Sequence, residues 1–242
     1  MMPDGKYTKR WMVTSYDADK NRRLKTSSIM KYMQETGEEQ LRAVEMGYSE
    51  LYNMGIIFVM TKFAVRFHKA LTLADAFDIT TWHRGAAGVQ FFREYKITDA
   101  EGNLCAEAAT AWVMIDPVTG KIKKGVVPDR MPAVDEQSGI AAAFKERFSE
   151  DGAELLGERV VRFSDIDYNN HVNNTVYIDI ATDFVPKEFL EKGISEASIF
   201  FVKENRLGSV LKISGKSQDN TVSLLGENQE GKSFTAQIKF NL

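Results

Sequence analysis

The spacing of apolar residues predicts a long helix early in the chain. Over residues 26–46 the apolar positions recur at helical spacing, and the acidic residues lie mostly elsewhere. The residues on the apolar side are Ile29 or Met30, Met33, Leu41 and Val44. Thr26 or Ser27 suits the start of such a helix, and Gly47 suits its end. The pattern therefore predicts one amphipathic helix.

Segments with strand character lie on both sides of this helix. Residues 6–16 are predicted to form a strand before it. Four further runs follow it, at residues 56–67, 76–83, 89–98 and 104–115. Residues 99–102 form a turn, and the connections are too short to contain a crossover helix. The first half is therefore predicted to contain a strand, a long helix and then antiparallel strands.

Residues 121–157 interrupt this pattern. The stretch contains Pro132, Gly139 and residues of both charges, and a short helix is predicted near residues 140–148. Such a composition is typical of a connection between domains. We therefore predict an N-terminal domain over residues 1–125, a connector over residues 126–157 and a C-terminal domain over residues 158–242.

The second half repeats the order of elements in the first. A strand is predicted over residues 159–163, followed by a polar elbow, a helix over residues 174–184 and a helical segment over residues 187–192. Strand-like runs then follow at residues 197–204, 209–215, 221–226 and 233–240. The order of elements therefore indicates an internal duplication.

Two polar elbows align without a gap and support that duplication. We call residues 17–25 the first elbow and residues 164–173 the second elbow. The aligned patterns are Asp17-x-Asp19-x-Asn21-x-Arg23 and Asp165-x-Asp167-x-Asn169-x-His171. Only the imidazole is missing from the first copy, where Arg23 takes its place. We therefore predict that the second half carries the chemistry, while the first half serves packing and substrate binding.

The second elbow contains groups that suit acid–base chemistry. Asp167, Asn169 and His171 supply a carboxylate, a carboxamide and an imidazole within five residues. They offer a general base or nucleophile, a hydrogen-bond donor for a carbonyl oxygen, and a titratable ring. Asn173 or Asn174 suits the N-cap of the next helix, whose N-terminus favours developing negative charge. The alternative is an ordinary turn, since Asp and Asn are common turn residues.

Composition and charge exclude several classes of function. The chain is 43% hydrophobic and 27% charged with a net charge of −3, so nucleic acid is not an expected partner. Its single cysteine, Cys105, excludes an internal disulfide and suits a reducing cytoplasm. No apolar run approaches the roughly 20 residues of a membrane span, so no membrane insertion is expected. Metal-ligand spacings and glycine-rich phosphate loops do not occur, so no metal or cofactor is expected.

Two segments of the second half resemble the acyl-acyl carrier protein thioesterases, which release free fatty acids from fatty-acid synthesis. These segments are SDIDYNNHVNN, residues 164–174, and FVKENR, residues 201–206. Weaker matches lie in the first half, at residues 55–59, 81–85 and 111–114. The resemblance implies an α+β, tandem double hot-dog fold in which each half wraps an antiparallel sheet around a long helix.

The resemblance also implies the roles of individual residues. Asp167, Asn169, His171 and Glu204 would be catalytic, and the partner would be acyl carrier protein carrying a phosphopantetheine-linked acyl chain. Plant members carry a cysteine directly after this glutamate, whereas Asn205 stands here. A cysteine nucleophile is therefore not expected at that position. Plant members also carry a plastid transit peptide, and none is recognised here, which implies a bacterial-type cytoplasmic relative.

Substrate binding and assembly are less sharply predicted. Met30, Met33 and Phe58 are candidates to line an acyl tunnel, because methionine and aromatic side chains fill irregular apolar space. For any one of them taken alone, an ordinary core residue is the preferred interpretation. An acyl-CoA thioesterase and a non-catalytic acyl-binding module remain as alternative functions, and a homodimer remains open.

Overall fold

The computed structural model describes residues 4–124, 130, 132–145, 149 and 151–242. Within these residues, ten strands form one sheet in which every neighbouring pair is antiparallel. The strands are β1 (Lys6–Met12), β2 (Ile57–Phe67), β3 (Ala76–Ala87), β4 (Gln90–Asp99), β5 (Leu104–Ile115), β6 (Glu154–Val160), β7 (Ile194–Phe201), β8 (Val210–Gln218), β9 (Thr221–Asn228) and β10 (Gly231–Phe240).

The strand order contains the duplication. It runs β1-β3-β4-β5-β2 through the first half and continues as β7-β10-β9-β8-β6 through the second. Each half therefore has the same connectivity, and the two halves meet where β2 pairs with β7 between Lys62↔Phe200 and Arg66↔Glu196. The predicted antiparallel arrangement is confirmed, and so is the tandem double hot-dog fold. A continuous sheet leaves only β1 and β6 as edge strands among the described residues.

Four α-helices lie within the described residues: α1 (Thr26–Ala43), α2 (Tyr48–Asn53), α3 (Asn174–Asp183) and α4 (Lys187–Lys192). The long helices of the two halves, α1 and α3, contact each other. Met30 from α1 and Tyr177 from α3 belong to the same buried cluster as Phe63 and Phe234 from the sheet. The two halves therefore share one core, whose burial removes apolar surface of both from water. No helix in the described part of the chain is long and apolar enough to cross a membrane.

The ends of α1 differ from the predicted ones. Its N-cap is Lys25, which has no side-chain cap, and Thr26 and Ser27 lie in the first turn instead. The Lys25 amide donates to the Asp17 carbonyl at 2.9 Å, so the first elbow holds the chain extended up to Lys25. At the other end Glu45 takes a left-handed conformation with φ 55°, and the helix ends at Ala43. Gly47 is the N-cap of α2, a short helix that the sequence analysis missed.

One described segment of the predicted connector packs on the face of the sheet opposite to the helices. This segment is the 3-10 helix Gly139–Lys145, which buries Ile140, Ala141 and Ala143 against Ala64 and Ala109. This element corresponds to the helix predicted near residues 140–148, of which residues 146–148 lie outside the described residues. The strand predicted over residues 159–163 is observed earlier, as β6, because residues 163–165 form a 3-10 turn into the second elbow.

Two glycines should respond oppositely to alanine. A Cβ at Gly226 would lie 2.1 Å from Cε1 of the fully buried Phe234, whereas a Cβ at Gly37 would meet its nearest atom, the Tyr95 hydroxyl, at 3.4 Å. Gly226→Ala should lower the free energy of unfolding by about 1–3 kcal/mol through overpacking. Gly37→Ala should raise it by up to about 1 kcal/mol, because alanine is the better helix former. Urea denaturation measures both, and a stable Gly226→Ala variant would contradict this packing.

Candidate active site

The second elbow is a tight turn held by its own acidic residue. The Asp167 amide donates to the His171 carbonyl at 3.0 Å, and the Asn170 amide donates to the Asp167 carbonyl at 3.0 Å. Asp167 Oδ1 also accepts the Asn169 amide at 2.8 Å, which is the Asx-turn geometry that Asp favours. The turn places the side chains of Asp167 and His171 on the same side of the chain, where Nδ1 of the ring lies 3.8 Å from Asp167 Oδ1.

The first elbow repeats this turn bond for bond. The Asp19 amide donates to the Arg23 carbonyl at 2.8 Å, and Asp19 Oδ1 accepts the Asn21 amide at 2.8 Å. Arg22 has φ 62°, and its counterpart Asn170 has φ 65°. The gap-free alignment of the two elbows therefore holds in three dimensions, and Arg23 occupies the position that corresponds to His171.

Glu204 completes a cluster with the two elbow residues. The Val172 amide donates to the Asn205 carbonyl at 2.8 Å, which brings the segment after β7 alongside the second elbow. Glu204 Oε2 consequently lies 3.7 Å from His171 Nε2, while Asp167 faces the opposite ring nitrogen. The side chains of Asp167, His171 and Glu204 are 16%, 31% and 54% exposed, so the cluster is open to substrate on the Glu204 side.

This arrangement suits general acid–base chemistry. A carboxylate at each ring nitrogen can orient the imidazole on one side and exchange a proton with it on the other. Both separations exceed a direct hydrogen bond, and catalytic hydrogen bonds often tighten only when substrate binds. Arg206, which the sequence analysis did not single out, lies 3.2 Å from Glu204 Oε1 and leaves Oε2 facing the ring.

The N-terminus of α3 and Asn169 are the candidate donors for a carbonyl oxygen. Of the two predicted N-caps, Asn173 is the observed one, and its Oδ1 accepts a hydrogen bond from the backbone amide of Thr175 at 2.9 Å. Thr175 is therefore not free to bind substrate, whereas the Asn174 amide has no acceptor among the described residues. Asn169 is exposed beside the ring-bearing turn, with its backbone committed to Asp167.

Asn205 does not face the cluster. It is 1% exposed, and its amide nitrogen donates to the Tyr177 hydroxyl at 2.9 Å and to Ser233 Oγ. Its side-chain oxygen, Oδ1, accepts a hydrogen bond from the side-chain amide of Asn228 at 2.7 Å. Asn205 is therefore part of a buried polar network and fixes the segment that carries Glu204.

The predicted acyl-lining residues fall into two separate clusters. Met30 and Met33 are buried in the shared core, at 0% and 1% exposure. Phe58 instead packs into a smaller apolar cluster, with its ring 5.2 Å from that of Phe91. That cluster includes Met46, which precedes α2, and Leu51, which lies within it. The structure therefore does not bring Phe58 together with the two methionines, and their roles in substrate binding stay predictions.

Residues of the first half also approach the second elbow. The Tyr168 ring of the elbow lies 5.9 Å from Tyr48 on α2, in an edge-to-face contact. Glu38 of α1 is partly buried, and this burial raises the pKa of its carboxyl group. These residues were missed because a contact between distant segments leaves no mark on local periodicity. The sequence feature that could have indicated α2, and with it Tyr48, is Gly47, because glycine is found both before the first residue and after the last residue of helices.

Comparison with known proteins identifies the family. The model of the acyl-ACP thioesterase N-terminal domain matches residues 4–131, and that of the acyl-ACP thioesterase C-terminal domain matches residues 149–241. A chloroplastic acyl-[acyl-carrier-protein] hydrolase of Cuphea viscosissima is 24% identical over 201 residues, or 76% of this chain and 48% of that protein. A chloroplastic palmitoyl-acyl carrier protein thioesterase of Gossypium hirsutum is 22% identical over 242 residues, or 90% and 57%. The chain thus spans about half the length of these curated relatives.

Solved structures agree on the fold. An acyl-ACP thioesterase from Bacteroides thetaiotaomicron superposes with a TM-score of 0.84 at 19% identity, covering 98% of each chain. The 12:0-ACP thioesterase from Umbellularia californica superposes with a TM-score of 0.83 at 19% identity, covering 100% of this chain and 99% of that one. These likenesses establish a shared architecture, and the two domain models account for both halves of the duplication. The chain therefore belongs to the acyl-acyl carrier protein thioesterase family.

Proposed function

We propose that this chain hydrolyses the thioester of fatty acyl-acyl carrier protein, releasing a free fatty acid and ending chain elongation. The observation that carries the proposal is the position of His171 between Asp167 and Glu204. The relatives' descriptions as acyl-ACP hydrolases and thioesterases support it. All three groups come from one half of one chain, so the proposed reaction needs no second copy.

The proposed mechanism gives the two carboxylates different roles because their surroundings differ. Glu204 is the more exposed, and it accepts a proton from the attacking water as the water oxygen bonds to the thioester carbon. Asp167 is fixed by the Asx turn and holds the Nδ1 side of His171. The proton passes from Glu204 to Nε2, and from there to the thiolate sulfur when the C–S bond breaks.

Negative charge on the carbonyl oxygen needs donors during this step. We assign that role to the Asn169 carboxamide and the Asn174 amide at the positive end of α3. One such donor typically contributes about 3–4 kcal/mol of transition-state stabilisation. Asn169→Ala should therefore reduce turnover through kcat more than through KM.

The surface beside the cluster suits a large, negatively charged substrate. Arg162, Lys203 and Arg206 lie on the segments that frame His171 and Glu204. Phe163 and Leu207 expose 83% and 57% of their surface on the same segments. Cations around exposed apolar side chains favour docking of an acidic protein, and we propose acyl carrier protein as the partner that docks here.

Hydrolysis in isotopically labelled water tests the reaction type. Acyl-acyl carrier protein incubated with the chain in H₂¹⁸O should yield a free fatty acid containing ¹⁸O and a carrier protein with a free thiol, both detected by mass spectrometry. A carrier that retains its acyl group would favour the alternative of a non-catalytic acyl-binding module. A released acyl group without ¹⁸O would indicate transfer to another acceptor and would contradict hydrolysis.

A further inference from the structure

The first elbow borders a cavity that the proposed reaction does not use. The cavity has a volume of about 680 Å³, within the range of small-molecule sites. Its walls are the first elbow, the start of α1, the segment after β2 and parts of α3 and α4. By the duplication, this place corresponds to the His171 cluster of the second half.

Two of the four proposed catalytic groups, the imidazole and the glutamate, are absent from this counterpart, whereas Asp19 and Asn21 keep the positions of Asp167 and Asn169. Arg23 stands in the position of His171. The Leu24 amide donates to the Leu71 carbonyl at 2.8 Å, as the Val172 amide donates to the Asn205 carbonyl, so Ala70 takes the position of Glu204. A methyl group and a guanidinium cannot perform the proton transfers proposed for the second elbow. The cavity therefore lies at the position that corresponds to the second-half site but lacks the imidazole and the glutamate that transfer protons there.

The start of α1 presents free hydrogen-bond donors to this cavity. Ser27 and Thr26 line it and are only 1% and 6% exposed. Neither their hydroxyls nor their backbone amides have a partner among the described residues, whereas α3 has the Asn173 cap. No fully buried side-chain oxygen in the described chain lacks a partner, so these two hydroxyls open on the cavity. An uncapped helix N-terminus with such hydroxyls favours an anion.

Cationic side chains also line the cavity. Arg23 donates to the Glu191 carbonyl at 3.2 and 3.3 Å and has no carboxylate partner in the described part of the chain. Lys25 and Lys192 also line the cavity and form no ion pair with the described residues. The α3 wall carries Asp179 and Asp183, and burial together with the charge of Asp179 raises the pKa of Asp183. The cavity lining therefore combines cations from the first elbow, its junction with α1 and the end of α4 with carboxylates from α3.

We propose that this cavity is a second ligand site, which binds the carboxylate or phosphate end of a small molecule between Arg23 and the N-terminus of α1. Hydrogen-bond donors further along the ligand face Asp179 and Asp183, and apolar parts contact Leu24 and Ile178. The site binds its ligand and catalyses no reaction on it. It goes beyond the proposed hydrolysis, and two sources share the required anion: a fatty acid and a phosphate ester such as the pantetheine arm.

Calorimetric titration of the full chain with octanoate and with pantetheine 4′-phosphate tests the site. Binding of one probe should weaken at least about 10-fold in Arg23→Gln, as expected for loss of a charge-assisted contact, and several-fold in Ser27→Ala. It should persist in His171→Ala, which alters only the second elbow. Binding of octanoate alone identifies a fatty-acid site, and binding of pantetheine 4′-phosphate alone identifies a phosphate-ester site.

Two results would overturn the proposal. One is the absence of binding by either probe, and the other is binding that His171→Ala removes but Arg23→Gln and Ser27→Ala leave unchanged. Should Arg23→Gln unfold because Arg23 also holds the end of α4, Ser27→Ala decides, since it removes one hydroxyl and no backbone contact. The titration involves no turnover, so its outcome is independent of the hydrolysis assay.

Discussion

Alanine at Asp167, His171 or Glu204 should each lower turnover of an acyl-acyl carrier protein thioester by about 10²- to 10⁴-fold, the usual contribution of a positioned acid or base. His171→Ala removes the ring that lies between the two carboxylates, whose oxygens are 3.8 and 3.7 Å from its nitrogens. Glu204 is more than half exposed, so its loss should not unfold the chain. Thiol release under saturating substrate measures the effect on kcat, and circular dichroism verifies the fold.

The first elbow supplies a matched control for this prediction. Asp19 forms the same turn as Asp167, with its Oδ1 accepting the Asn21 amide, but Arg23 stands where the second elbow has His171. Asp19→Ala should therefore share any cost of losing the turn while keeping turnover within a few-fold of the original. Near-normal turnover in all three second-elbow variants would contradict the assignment. An equal loss of turnover in Asp19→Ala would show that turnover depends on the turn and not on acid–base groups at the second elbow.

The second large effect concerns stability, at Asn205, where the family resemblance leads one to expect cysteine. Asn205→Ala should lower the free energy of unfolding by about 2–4 kcal/mol, because it leaves buried hydrogen-bond partners unsatisfied. These partners are the hydroxyls of Tyr177 and Ser233 and the amide of Asn228. Asn53→Ala, at an exposed position of α2, is the control and should change stability by less than about 0.5 kcal/mol. Urea denaturation of both variants compares them directly.

Asn205→Cys extends the same test to the reaction. A sulfur at this position would point into the Tyr177–Ser233 network and away from the His171 ring. We therefore expect a destabilised variant whose turnover does not exceed that of the original chain and whose thiol reacts slowly with iodoacetamide. Faster turnover together with rapid alkylation would mean that this position does reach the active site.

Local chemistry explains why so much of the fold was predictable. The strand character of β2, β4, β5 and β10 and the helical spacing along α1 are local properties of the sequence, and those elements are observed close to their predicted limits. The turn geometry of Asp and Asn is equally local, so the alignment of the two elbows holds to the level of single hydrogen bonds. The predicted end of α1 was wrong because Glu45 adopts a left-handed conformation that its residue type does not predict.

The candidate site required more than local pattern. Asp167, Asn169 and His171 share one turn, and their spacing indicated a candidate site while leaving an ordinary turn as the alternative. Glu204 follows a different strand, and only the resemblance to the family connected it with the elbow before the pairing of Val172 with Asn205 was known. The separation of Phe58 from Met30 and the burial of Asn205 depend on packing between distant segments. No periodicity in the sequence records such contacts.

Thiol release by the unmodified chain from matched thioesters tests the central claim most directly. Acyl carrier protein and coenzyme A would each carry the same series of acyl chains, and initial rates would give kcat/KM for every pair. The account predicts higher values for the carrier-protein thioesters, with one chain length preferred. Higher values for the coenzyme A thioesters would contradict the proposed substrate, and no release from either series would contradict the proposed hydrolysis.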